Sequence, residues 1–172
     1  MTNILLTKEQ IFDIVKWMSI DIEDYYRDID EVILITILEG AKYFSNDLLK
    51  FLTPKYKQCF LKSNSYNGMG TTGKINVDLS ILEEIRNKNI LLVDDIYDTG
   101  KTLDYIKKEI EYLGCHDCQC AVLIERSHKH DHNVPVRFVG KKICIDDFLV
   151  GYGLDLNGKQ RELEYIYTLK ND

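Results

Sequence analysis

The sequence predicts an α/β fold, a twisted and largely parallel sheet flanked by helices. Two observations carry this. Helix-like periodicity alternates with short β-branched runs along the chain, with no internal repeat or low-complexity linker. The run Ile90-Leu91-Leu92-Val93 is apolar at every position and bounded by polar residues, as in a parallel strand covered on both faces.

The elements follow in order. Thr7-Lys8-Glu9-Gln10 fits a capping box and opens a helix to about Tyr26. Glu31 to Leu38 reads as a β-branched strand and Ala41 to Leu52 as a helix. Gln58 to Lys62 and Lys74 to Val77 read as shorter strands around a Gly-rich loop. Ile90 to Val93 is the central strand and Leu103 to Leu113 the next helix. Cys120 to Ile124, Val136 to Val139 and Phe148 to Tyr152 are further strands.

Composition bounds the function. The 172 residues, 45% apolar and 29% charged, suit one globular domain with a sizeable core. No apolar run approaches the roughly 18 residues of a membrane span, and Met1-Thr2-Asn3-Ile4-Leu5-Leu6 lacks the basic start of a secretory signal. The expected location is the cytoplasm. A net charge of −6, from 22 basic and 28 acidic residues, argues against nucleic acid as a partner. Five cysteines, an odd number with no secretory signal, read as reduced thiols. Cys115, Cys118 and Cys120 have metal-like spacing, with His128, His130 and His132 as the other candidate ligands. An ordinary loop leading into a strand is the expected state of that cysteine segment.

The chemistry concentrates after the central strand. Asp94-Asp95 ends the apolar run, and Asp98-Thr99-Gly100-Lys101-Thr102 leads into a helix. In open α/β sheets, ligands bind beyond the carboxyl ends of the strands. Thr99, Gly100, Lys101 and Thr102 offer backbone N–H groups, hydroxyls and an ammonium at a helix N-terminus, where an anion is favoured. Asp94 and Asp95 can accept from sugar hydroxyls, and Asp98 can move a proton. Three acids beside a phosphate cradle imply a sugar-phosphate substrate with Mg²⁺.

The segment Val93 to Thr102 resembles the 5-phosphoribosyl-1-pyrophosphate (PRPP) motif of the type I phosphoribosyltransferases, and the hypoxanthine-guanine branch most of all. The resemblance runs from about residue 30 to 167 and rests on four further segments. Leu38-Glu39-Gly40-Ala41 is similar to the family's pyrophosphate loop, with Glu39 where the family usually has Lys or Arg, so the Glu39 side chain is expected to point away from the anion. Ser63 to Lys74 resembles the flexible loop, Ser65 and Tyr66 matching the pair that closes over the site. Arg126 stands where the family places a Lys that donates to the purine 6-oxo group. Asp147-Phe148-Leu149-Val150-Gly151-Tyr152-Gly153-Leu154-Asp155, followed by Arg161, resembles the family's base-binding segment.

The resemblance implies a purine salvage enzyme with Mg²⁺ as cofactor. It would join hypoxanthine or guanine to PRPP, giving the nucleoside monophosphate and pyrophosphate. Asp98 would be the general base, Asp94 and Asp95 would grip the ribose hydroxyls, and Thr99 to Thr102 the 5′-phosphate. Glu39, Gly40 and Arg161 would form the pyrophosphate site. Phe148 would stack on the purine, the Leu149 backbone would bond its edge, and Asp155 would contribute to the metal shell. It also implies a small hood mainly over residues 140–172 of a single domain, and a homodimer or homotetramer. The alternatives are a relative preferring xanthine or another base, and a non-catalytic regulator that binds PRPP or nucleotide on the same fold. A two-component receiver also starts with Leu-Leu-Val-Asp-Asp, but too little chain follows Asp95 to build one.

Overall fold

In a computed structural model, which describes residues 3–62 and 85–170, the chain builds two sheets. The larger is formed by β2 (Val32–Leu38), β3 (Tyr56–Lys62), β4 (Asn89–Tyr97), β5 (Asp117–Arg126) and β6 (Phe138–Ile143) in the order β3-β2-β4-β5-β6, every pair parallel. The smaller is antiparallel, β1 (Asn3–Leu6), β8 (Ile166–Leu169) and β7 (Phe148–Val150) in the order β1-β8-β7. The helices are α1 (Lys8–Tyr25), α2 (Lys42–Leu49) and α3 (Lys101–Tyr112). The expected strand at 74–77 and the Ser65–Tyr66 pair lie outside the described residues.

Strand period explains the two-sided core. Leu34, Leu91, Val93, Ala121 and Leu123 face α1 and α2, against Ile11, Val15, Ile22, Phe44 and Leu48. Their neighbours Ile33, Ile35, Ile90, Leu92 and Val122 face the other way, against Leu103, Ile106 and Ile110 of α3. The central strands are therefore apolar without interruption. The capping box forms as expected, with Gln10 N donating to Thr7 Oγ1 and Thr7 N to Gln10 Oε1. Buried Tyr26 then ties the end of the helix to the sheet by donating to the Ile90 carbonyl at 3.0 Å.

Several boundaries differ from expectation, among them that of β7, which stops at Val150 short of Tyr152. β4 does not stop at Val93 but runs through the acids to Tyr97, because its ladder to β5 continues as far as Tyr97 opposite Glu125. β5 starts at Asp117, so Cys118 and Cys120 are buried strand residues. α2 ends at Leu49, and Leu52 packs into the core from a turn just ahead of Pro54. The 136–139 expectation lands on β6 at 138–143, and β1 and β8 were not expected at all.

Strand order sets the site. β3 lies on one side of β2 and β4 on the other, so the connections leaving β2 and β4 diverge and open a crevice between their carboxyl ends.

Core burial and capping should separate cleanly in stability. Leu91 is fully buried, so Leu91→Ala should cost about 3 kcal/mol. Thr7→Ala, which loses only a cap, should cost about 1 kcal/mol. Urea denaturation of the two variants measures both, and equal losses would contradict this account of the core.

Candidate active site

The crevice holds a cleft of about 710 Å³. Its floor is the end of β4 and its back wall the start of α3. Asp94 is buried, and its Oδ1 accepts from Asp95 N at 3.0 Å. Asp95 Oδ1 accepts from Ile96 N at 2.8 Å. Burial, and next the neighbouring Asp95, push Asp94 well above the ordinary carboxylate range. Burial raises Asp95 too, against hydrogen bonds from Asp94 and the backbone and the charge of Arg161. The pair is an accumulation of unneutralised acid that sugar hydroxyls or a cation would relieve.

Gly40, after β2, faces this pair. A Cβ there would sit 1.8 Å from Asp95 Oδ2, and a Cβ on Gly153 would sit 2.0 Å from the Gly40 carbonyl oxygen. The loop after β2 is thus clamped between β4 and the segment after β7, and only glycine fits at both points. The Leu38–Glu39 peptide is cis.

The phosphate cradle follows. Gly100 takes φ +83° at the N-cap of α3 and offers no side-chain cap, and the Thr99 hydroxyl accepts only a long 3.4 Å bond from Lys101 N, so the start of the helix favours an anion. The cradle is held from behind. Asp131 N and His132 N both donate to the Thr99 carbonyl, at 3.0 and 2.9 Å. Tyr97 Oη donates to the His132 carbonyl at 2.8 Å, and the Tyr97 ring stacks on His130. The histidines weighed as metal ligands therefore have other work: His132 meets Asp104, and His128 meets Asp146. Among the described residues no three His, Cys, Asp or Glu side chains converge as a metal site.

Two guanidiniums complete the cleft. Arg126, 5% exposed at the end of β5, donates from Nη2 to the Asp147 carbonyl at 2.6 Å and has Nη1 3.7 Å from Asp98 Oδ2. Arg161 donates from Nη2 to Asp155 Oδ1 at 2.9 Å and has Nη1 3.9 Å from Glu39 Oε2. The Glu39 side chain, 61% exposed, thus lies loosely opposite Arg161 and is not turned away from it as expected. Asp98 Oδ1, Arg126 Nε and Arg161 Nε are buried with no hydrogen-bond partner among the described residues. Phe148 is 47% exposed although it opens a strand, and it lines the cleft beside Leu149.

Residues 1–157 match the model of the phosphoribosyl transferase domain. The hypoxanthine-guanine phosphoribosyltransferase of Staphylococcus epidermidis is 35% identical over 170 residues, covering 98% of this chain and 93% of that one. The chain belongs to the phosphoribosyltransferase family, on its hypoxanthine-guanine branch. The crystal structure of a hypoxanthine phosphoribosyltransferase from Staphylococcus aureus superposes with a TM-score of 0.86 at 31% identity, covering 98% of this chain and 91% of that one. A Trypanosoma cruzi hypoxanthine phosphoribosyl transferase, solved to study how its C-terminal region affects oligomeric state and activity, gives 0.86 at 26%, with the same coverage.

For this phosphoribosyltransferase, every described residue that the family resemblance implicates lines the one cleft: Glu39, Gly40, Asp94, Asp95, Asp98 to Thr102, Arg126, Phe148, Leu149, Asp155 and Arg161; Cys115, Cys118, Cys120 and the three histidines do not. Sequence reasoning missed Lys62 at the end of β3 and the Gly153–Gly40 contact. A cation closing a strand at the carboxyl edge of the sheet is the signal that would have found Lys62.

The buried acid pair generates a pH prediction. The pKa of Asp94 is raised in the folded state, so its favourable protonated contribution is complete below the ordinary 3.8 and is lost as pH rises through the raised value. Asp94→Asn should therefore stabilise the ligand-free protein at pH 8. The gain should shrink as pH falls toward 4. Urea midpoints of both proteins at pH 8 and 4.5 test this, and a shift equal at both would refute it.

Proposed function

We propose that the chain transfers the 5-phosphoribosyl group of PRPP to hypoxanthine or guanine, giving IMP or GMP and pyrophosphate. The observation that carries this is the set of buried polar atoms on Asp98, Arg126 and Arg161 that have no partner among the described residues, all in one cleft with a half-exposed phenyl ring. Buried polar atoms are rarely left unpaired without a ligand to satisfy them.

In this reading the cleft takes the substrate in three parts. Thr99, Gly100, Lys101 and Thr102 hold the 5′-phosphate at the N-terminus of α3. Asp94 and Asp95 accept from the ribose hydroxyls. The pyrophosphate lies between the Glu39–Gly40 backbone and Arg161. The base stacks on Phe148, with its edge on the Leu149 backbone and its 6-oxo group toward Arg126. Asp98 accepts the N7 proton as the new glycosidic bond forms, and its unpaired Oδ1 is the lone pair for that step. The small β1-β8-β7 sheet serves as the hood, and its β7 strand carries the base platform. The assignment of Ser65 and Tyr66 as a lid falls outside the described residues.

The donor set fits Mg²⁺ held partly by substrate. Mg²⁺ commonly takes one or two protein carboxylates, substrate phosphate oxygens and waters. Asp155 stands beside the pyrophosphate position, its geometry fixed by Gly158 N at 2.6 Å and by Arg161. Asp94 and Asp95 supply buried carboxylates on the ribose side. When bound, Mg²⁺ neutralises charge on the departing pyrophosphate. The cleft itself is short of positive charge. Its described carboxylates are Glu39, Asp94, Asp95, Asp98 and Asp155, against Lys62, Lys101, Arg126 and Arg161.

The chain acts as a homodimer or homotetramer, for which the exposed Phe12, Trp17 and Ile20 on α1 supply apolar surface. It works in the cytoplasm, in keeping with a chain in which no described helix is long and apolar enough to cross a membrane.

A PRPP-dependent assay with hypoxanthine, guanine, xanthine and adenine side by side tests the reading. Turnover of xanthine or adenine above both other bases would overturn it. Two variants test the roles. Asp98→Asn should keep PRPP affinity and lose roughly 10²–10⁴-fold in rate, the usual contribution of a general base. A near wild-type rate would remove Asp98 from that role. Arg126 offers only donors, so adenine, which presents an amino group there, should be poorer by roughly 10⁴-fold. Arg126→Lys should retain hypoxanthine activity. Arg126→Ala should lose kcat/KM for hypoxanthine while PRPP affinity holds, and an unchanged kcat/KM would put Arg126 outside the base pocket.

A further inference from the structure

We propose that Glu39 is an internal counter-anion for Arg161, and that it makes the site select metal-complexed pyrophosphate over the free anion. The inference rests on the reading of Arg161 as a pyrophosphate ligand.

The geometry of Arg161 is graded. Asp155 holds Nη2 at 2.9 Å and is itself fixed by Gly158 N. Glu39 stands opposite Nη1 at 3.9 Å, with its side chain 61% exposed. The third nitrogen, Nε, is buried and unpaired among the described residues. One carboxylate orients the guanidinium, a second occupies its remaining edge loosely, and one donor waits. The Glu39 contact is long and solvated, so it is weak and displaceable.

The backbone of Glu39 has little room to withdraw. Ala41 N donates to Ile37 O and Lys42 N to Glu39 O, both at 3.3 Å. Gly40 is clamped between Asp95 and Gly153. An arriving pyrophosphate therefore meets the carboxylate at the rim. The Glu39 side chain can rotate toward solvent, but it stays within a Debye length of the anion, about 8 Å at physiological salt. At about 4 Å, each unit of opposing charge weakens binding by a factor of about five, even at the dielectric constant of water. Among the described residues the cleft has as many acidic groups as basic ones even with Asp94 held toward its protonated form, so the opposing charge of Glu39 is felt. A divalent cation on the pyrophosphate weakens this repulsion: Glu39 then faces a complex of lower negative charge, and its carboxylate could help to hold the metal.

The test is calorimetric titration of pyrophosphate, with Mg²⁺ and separately with EDTA, into the full chain and its E39Q and E39K variants. In EDTA, E39Q should bind pyrophosphate about tenfold more tightly than wild type, and E39K more tightly still. With Mg²⁺ the gain of E39Q should fall to about twofold or less, so the affinity ratio between the two conditions shrinks. The ligand-free melting temperatures should match, because an exposed pair at 3.9 Å adds little to folding. E39Q with wild-type affinity in EDTA would overturn the proposal, as would a gain of equal size with and without Mg²⁺. Either result leaves Arg161 in place as a pyrophosphate ligand. Wild-type protein that binds pyrophosphate in neither condition would overturn both this proposal and the reading beneath it.

Discussion

The site depends on one close approach, that of Gly40 to Asp95 across the carboxyl ends of β2 and β4. The two strands pair in register from Val32–Asn89 to Thr36–Val93. Beyond that point β4 continues alongside β5, while β2 ends at Leu38 and turns into α2. The sheet splits there, and the split is the cleft. Gly40 allows the β2 turn to lie against the Asp95 carboxylate, and Gly153 brings the segment after β7 onto the Gly40 carbonyl. Three separate parts of the chain are held in one place by two missing side chains. A methyl group at either point would push the loop after β2 away from the Asp95 carboxylate.

This arrangement concentrates acid where the core would otherwise be apolar. Asp94 and Asp95 sit on a strand whose preceding residues, Ile90 to Val93, are fully buried. The low-dielectric surroundings that raise their pKa values also strengthen any hydrogen bond or cation they meet. The ligand-free protein carries that cost as reduced stability, a common trade at functional sites. The thiols at the other end of the sheet show the contrast. Cys118 and Cys120 are buried, and burial outweighs the charge of nearby Lys107 and pushes the Cys120 thiol up to about 12. They behave as small apolar residues of the α3 face, although their spacing resembles that of metal ligands.

Much of this was legible in the sequence, for identifiable reasons. The capping box at Thr7, the β-branched run of β2 and the apolar run of β4 are local signals, and local signals translate directly into elements. The PRPP-like motif is also local, since its acids, cradle and helix start lie within one stretch of chain. What stayed hidden depends on distant partners. β1 and β8 are four residues each and pair across the length of the chain, Asn3 opposite Thr168, so neither has a periodicity of its own. The continuation of β4 through two aspartates contradicts strand propensity and is imposed by the β5 ladder. The direction of Glu39 was misjudged because chemistry alone argues against a carboxylate beside pyrophosphate. Arg161, far along the chain, supplies the charge that draws it in.

The two guanidiniums of the cleft share a physical logic. Arg126 and Arg161 are each held by one firm oxygen, the Asp147 carbonyl and the Asp155 carboxylate, at 2.6 and 2.9 Å. Each also faces a second carboxylate loosely, Asp98 at 3.7 Å and Glu39 at 3.9 Å. Each leaves Nε without a hydrogen-bond partner among the described residues. A guanidinium tethered at one corner keeps its plane fixed while its other donors stay available, which a lysine ammonium on a flexible stem does not do. The loosely held carboxylates keep each cation partly neutralised until a ligand displaces them or joins them. Orientation is thus settled before binding, and the electrostatic exchange occurs only when the ligand arrives. A buried cleft gains most from that order of events, because reorientation inside a low-dielectric site is the cost that preorganised donors avoid.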